Sequence, residues 1–235
     1  MADPSAGLLV AFVLLVLATA VLALTLVRRA HVDPDGQLGS QRSVFYAFVA
    51  VGCWMAFTAA LAQNGVLSDF DRRPPLLPIL VAVSFGLAVA IAFSRFGTRV
   101  MDGISLAWLI GFQGFRLPLE LLMQRAAEEG VMPIQMSFSG QNLDIISGAT
   151  ALLIAWLISR GLATKRTPWL WNILGSALLI NVLVVAILSL PMFARWGPEQ
   201  LNIWVSHAPF VWLPTLLVPF ALIAHLLLWR KLLRR

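Results

Sequence analysis

Charge is scarce in this chain. Asp, Glu, Lys and Arg make up 12% of its 235 residues, about half the share of a soluble domain. Cysteine occurs once, as Cys53 inside an apolar run; that excludes an intrachain disulfide and a thiolate metal site, and leaves a small packing residue. Lysine occurs only as Lys165 and Lys231, both outside the apolar runs, so a retinal Schiff base in a last helix is excluded. There is no His-Glu-x-x-His zinc helix and no glycine-rich loop leading into a lysine. Glu128-Glu129 opens like an intramembrane Glu-Glu-x-x-x-Arg protease motif, but position 133 is Pro.

Apolar residues fill the space that charge leaves. They account for 60% of the chain, with mean hydropathy +0.86, more than a globule of this size can hide from solvent. They form continuous runs rather than the short alternating segments of a barrel. The expected fold is therefore all-α: an integral membrane bundle of about seven helices in one domain. The spans run over 6–27, 44–62, 76–93, 104–123, 145–163, 170–193 and 208–229.

The net charge of +6 marks topology rather than nucleic-acid binding, because most basic residues flank apolar runs. Arg28, Arg29, Arg42, Arg95, Arg99, Arg160, Lys165, Arg166, Arg230, Lys231, Arg234 and Arg235 fall in alternate connections on one side. Arg72, Arg73, Arg125 and Arg195 fall on the other. That bias puts the C-terminus in the cytoplasm and the N-terminus outside, with the lipid bilayer, anionic lipid included, as the principal partner.

The fourth run breaks the apolar rule. Gln113, Arg116, Glu120 and Gln124 recur at spacings of three and four, which draws one polar stripe along a helix. A charge facing lipid near mid-bilayer costs roughly 3 kcal/mol on insertion scales, so the stripe faces the bundle interior. Arg116 and Glu120 stand at i,i+4 and are able to neutralise one another, and Pro118 frees the carbonyl of Gly114. Two readings stay open. In one, the stripe is an internal ion pair locking the helices; in the other, Arg116 clamps a small anionic group or Glu120 handles a proton.

The longest connection follows, from Gly130 to Asp144, on the outer side. Met132, Ile134, Met136 and Phe138 alternate within it as if it folds back onto the helix ends. Asp144 is placed as N-cap of the next helix, with Ser147 at N3, or beside Glu120 as part of the site together with Asn142. Met132 and Met136 suit packing better than copper ligation, as neither His nor Cys accompanies them. His207 stands at the outer mouth of the seventh run, either joining the site or lying at the interface. His225 reads as a packed or snorkelling residue near the inner end. Asn181 is a helix–helix hydrogen-bond candidate, and Pro214 and Pro219 predict kinks. Nothing in the sequence asks for a metal or organic cofactor.

Phe115-Arg-Leu-Pro-Leu-Glu120, Pro133, Phe138-Ser-Gly-Gln-Asn-Leu-Asp-Ile-Ile-Ser-Gly148 and Pro209-Phe-Val-Trp-Leu-Pro-Thr-Leu-Leu-Val-Pro219 resemble an uncharacterised family of small bacterial multi-pass membrane proteins. The resemblance covers roughly the second half of the chain and implies a bacterial inner-membrane setting, with no assigned activity. Where those relatives place an acid and a base in the loop, this chain has Ser139 and Gln141. Three functions follow from the residues. The first is small-molecule binding or transport through an outer-half site of Gln113, Arg116, Glu120, Asn142, Asp144 and His207. The others are an intramembrane enzyme acting on a lipid or isoprenoid, with Glu120 and Asp144 as acid and base, and a non-catalytic assembly or sensor subunit.

Overall fold

The computed structural model describes residues 2–30 and 39–234; Met1 and Arg235, the latter counted above in the basic tail, lie outside them. The described residues form helices and turns with no strand. The helices are α1 (Ala6–Ala30), α2 (Gly39–Gln63), α3 (Leu76–Phe93), α4 (Arg95–Gly103), α5 (Leu106–Phe112), α6 (Arg116–Glu128), α7 (Ile145–Ser159), α8 (Thr167–Leu188) and α9 (Val218–Leu233). Six segments are long and apolar enough to cross a membrane: Ala6–Ala30, Gln41–Gln63, Leu76–Phe93, Leu106–Glu128, Thr167–Leu188 and Leu213–Leu233. The fifth expected span is the shorter α7, 15 residues, or about 22 Å at 1.5 Å per residue. Large apolar side chains such as Phe45, Leu170 and Ile180 stand exposed around the bundle, as lipid-facing positions do.

The fourth run is one span built in three pieces. A 3₁₀ turn, Gln113–Phe115, separates α5 from α6, placed just ahead of Pro118, whose ring crowds the preceding turn and which donates no amide hydrogen. Proline shapes the last span in the same way. Leu213–Leu217 winds as a π-helix before α9 begins. Pro219 lacks the N–H that would bond the Thr215 carbonyl, and the indole of Trp54 donates to that oxygen at 2.9 Å instead. Trp212 returns a bond to the Met55 carbonyl at 3.0 Å, and α2, otherwise largely exposed, is pinned to the bundle there.

Between α3 and α5 the chain does not simply turn. Ser94 caps α4 by accepting from the Gly97 amide at 3.0 Å, and α4 lies against α1, α3 and α9 with Val100 and Met101 buried. The basic ends of several helices meet at this edge. Lys231 donates to the Met101 and Ile104 carbonyls, both at 2.5 Å. Arg230 donates to the Ala92 carbonyl and, at 2.8 Å, to Thr98. The Arg29 guanidinium lies 4.1 Å from the Trp108 ring centre.

At the opposite edge the long connection packs inward, although not in the expected alternation, since Ile134 is exposed and Phe138 half-buried. Val131, Met132, Gln135, Met136, Ser137, Asn142 and Asp144 are buried. Gln124 accepts from Ser139 at 2.8 Å, Asn181 donates to the Gln141 carbonyl at 2.8 Å, and Gln135 bridges Ser189 and the Gln200 carbonyl at 3.0 and 2.8 Å. The N-terminal arm is clasped beside it. The Ser5 amide and hydroxyl donate to Glu129 at 2.9 and 2.8 Å, and Arg125 donates at 2.9 Å. The Ser5 amide, then Arg125 and the Ser5 hydroxyl, hold the Glu129 carboxyl down at about 2 against an ordinary 4.5. A lowered carboxyl contributes its stability above the ordinary value and loses it as pH falls through the lowered one. A spin label at Ala2 should therefore stay ordered above about pH 4.5 and loosen as pH falls toward about 2, whereas Glu129→Gln should leave it loose throughout.

Candidate functional site

Two close helix approaches assemble the polar interior. A Cβ on Gly148 would stand 2.2 Å from the Leu117 amide nitrogen, so only glycine lets α7 lie against the start of α6. Asp144, one turn earlier, is thereby brought to Arg116. A Cβ on Gly175 would stand 2.6 Å from Cε1 of His225, so glycine in α8 makes the room in which that imidazole sits. Arg116 is ten residues from Leu106 and His225 eight from Leu233, which puts both roughly 12–15 Å in from the basic edge.

Arg116 is fully buried, and its fork grips Asp144. Nε donates to Oδ2 at 2.6 Å and Nη2 donates to Oδ1. Its Nη1 donates to His225 Nε2 at 3.1 Å. On the far side of the ring, Nδ1 bonds Asn172 Oδ1 at 2.7 Å. Arginine can only donate and the amide oxygen only accept, so the ring here is the neutral Nδ1–H tautomer. Trp171 stacks on it with centroids 5.6 Å apart and planes inclined by 20°, and its indole nitrogen is fixed by Thr150 at 3.1 Å.

Asn142 links this pair to Glu120. Its Oδ1 accepts from the Asp144 amide at 3.1 Å. Its Nδ2 donates to the two Glu120 oxygens at 3.0 and 2.8 Å and to the Met136 carbonyl at 3.0 Å. A single bonded series thus runs from Asn172 through His225, Arg116, Asp144 and Asn142 to Glu120. Arg116 and Asp144 cancel, and His225 and Asn142 are neutral. The site is electrically balanced when Glu120 holds a proton and carries one surplus negative charge when it does not.

A cavity of about 70 Å³ borders Arg116, Glu120 and Asp144, with Met136, Leu217 and Asn202 among its other walls. That is room for a few waters or a comparably small solute, since one water needs roughly 10–15 Å³ of such volume. Asn202 is buried, and its Oδ1 has no hydrogen-bond partner among the described residues. The cavity therefore has a titratable carboxyl on one wall and an unsatisfied acceptor on another.

Of the residues singled out in the sequence, Arg116, Glu120, Asn142 and Asp144 converge. Gln113 is buried apart from the cavity and donates to the Ala221 carbonyl at 3.0 Å. His207 is engaged locally, its Nδ1 3.2 Å from Ser206 Oγ and 3.3 Å from the Ile203 carbonyl. Asp144 sits at the N-cap position of α7 without capping it; its oxygens go to Arg116. Arg116 in turn bonds Asp144 rather than Glu120.

His225, Asn172, Trp171 and Asn202 belong to the site although the sequence did not single them out for it. Placing the last span at 208–229 sets His225 near a helix end. The helix instead continues to Leu233, and the shift of about one turn carries His225 to the depth of Arg116. In the structure the arginine and the histidine each stand about two-fifths of a span in from the same basic edge, a match that a helix end at 229 hides.

No curated protein and no solved structure matches the chain. Residues 73–233, which include every residue of the network and of the cavity wall, match the family described as Domain of unknown function (DUF8737). The chain belongs to that family.

Proposed function

We propose that this chain is a membrane protein that binds or transports a small solute, with Glu120 taking up and releasing a proton as the cavity fills and empties. One observation carries the reading: a buried carboxyl, hydrogen-bonded by the neutral amide of Asn142, forms the wall of a cavity that also holds the unpartnered oxygen of Asn202. Intramembrane carboxyls lining a cavity are the usual proton carriers of transporters. The Asp144 carboxylate sits where an anionic ligand of Arg116 would sit, so the favoured solute offers hydrogen-bond donors rather than negative charge. The bidentate grip on Asp144 assigns that residue to positioning, which argues against Glu120 and Asp144 working as an acid–base pair. We further propose the bacterial inner membrane as its location, with the basic edge toward the cytoplasm, on the strength of the lopsided Lys and Arg count. The cavity then lies in the outer half.

The test is uptake into proteoliposomes of a panel of radiolabelled small neutral and cationic solutes. An imposed pH gradient should drive accumulation of at least one of them through the wild-type protein. Glu120→Gln should abolish the response to the gradient. Accumulation that ignores the gradient for every solute, or a Glu120→Gln protein that behaves as wild type, would contradict the proposal.

A further inference from the structure

A second, larger cavity of about 440 Å³ opens at the basic edge and reaches inward as far as Phe112 and Ala224, the latter next to His225 of the polar network. Its walls come from α1 (Ala23–Val27), from Ser43 to Val51 of α2, from Ile91 and the face of α4 at Phe96 and Val100, and from α9 between Phe220 and Leu227. Along α2 and α9 it extends over about eight residues, or roughly 12 Å at the rise of a helix. Its volume falls within the roughly 300–1,000 Å³ of ligand sites. Of its twenty lining residues, Ser43 and Tyr46 alone bring side-chain oxygens.

The chemistry of the opening selects the occupant. Tyr46, Ala50 and Ile91 line the cavity and are also exposed, so it opens sideways through spans that face lipid. A mouth in the hydrocarbon zone admits an apolar chain and excludes a hydrated solute. At the rim the charge changes: exposed Arg42 and Arg95 stand one residue from the lining residues Ser43 and Phe96. An apolar slot running in from a cationic rim matches a phospholipid acyl chain whose anionic headgroup remains at the interface. We infer that this cavity is a binding site for one anionic bilayer phospholipid, with an acyl chain between α2 and α9 and its phosphate held by Arg42 and Arg95.

Native mass spectrometry on the full chain tests this, with the protein released from detergent containing equimolar phosphatidylglycerol and phosphatidylcholine. The wild type should retain one phosphatidylglycerol in preference to phosphatidylcholine. Arg42→Gln and Arg95→Gln, both exposed and neutral to folding, should each cut that preference by roughly fivefold. Ala47→Trp and Ala224→Phe, which fill the slot, should lose the retained lipid. Retention unchanged in both filled variants would overturn the inference. So would a wild type without headgroup preference, or a preference indifferent to both glutamine substitutions. Should the filled variants not fold, the arginine series still decides.

Discussion

Asp144→Ala is expected to destabilise the protein by about 3–5 kcal/mol, because it strands the buried Arg116 guanidinium without its counter-charge. Arg116 is 1% exposed, and the acceptor left on its fork among the described residues would be the Nε2 of a neutral histidine. The same physics predicts a partial reversal. In Arg116→Met combined with Asp144→Leu, neither charge is buried, so the double variant should lose far less than Asp144→Ala alone, its residual cost being the unmade bond to His225. Thermal unfolding in one detergent, on the single and double variants together, reads both. Equal losses for Asp144→Ala and the double variant would mean that the stranded guanidinium is not what costs the single variant its stability.

Asn142→Ala should have the second largest effect, for a different reason. It removes no charge, yet it orphans the Asp144 amide, the Met136 carbonyl and both oxygens of Glu120. Each buried group left unsatisfied costs roughly 1–3 kcal/mol, and a charged one more. The loss should shrink when Glu120→Leu is added, since that substitution takes away the group most in need of a partner. The double-mutant cycle measures this coupling directly. Additive losses at the two positions would show that Asn142 acts on the loop alone.

These two residues show what was legible in the sequence and what was not. The stripe of Arg116 and Glu120 on an apolar helix was readable because a charge in a membrane span is expensive enough to announce itself. The inward fold of the Gly130–Asp144 connection was readable from its apolar content, Met132 and Met136 being buried, but not its pattern. Ile134 of the expected alternation is exposed, and Gln135 and Ser137 between its members are buried. The pairing was not readable. Residues four apart on a helix are near enough to bond, yet Arg116 reaches a carboxylate 28 residues on, because the bare Cα of Gly148 lets another helix come closer. Nor was His225, whose depth depends on where the last helix ends. Hydropathy blurs that boundary by a turn, and one turn decides whether an imidazole sits at the edge or against Arg116.

The segmented fourth span has the same origin. A run of suitable apolar content reads as one helix, and the proline in it foretells disturbance without saying which form it takes. The 3₁₀ turn at Gln113–Phe115 and the π-helix at Leu213–Leu217 are two answers to the same loss of an amide donor. Which answer is adopted depends on neighbours, as the bond from Trp54 to the Thr215 carbonyl illustrates.

A proton exchanged at Glu120 inside the bundle is read without intermediaries by infrared difference spectroscopy of the reconstituted protein. As pH is varied, a buried carboxylic-acid carbonyl band should titrate in the wild type and in Glu129→Gln and be missing from Glu120→Gln. A band that persists in Glu120→Gln, or a wild-type spectrum in which no buried carboxyl responds to pH, would contradict that exchange.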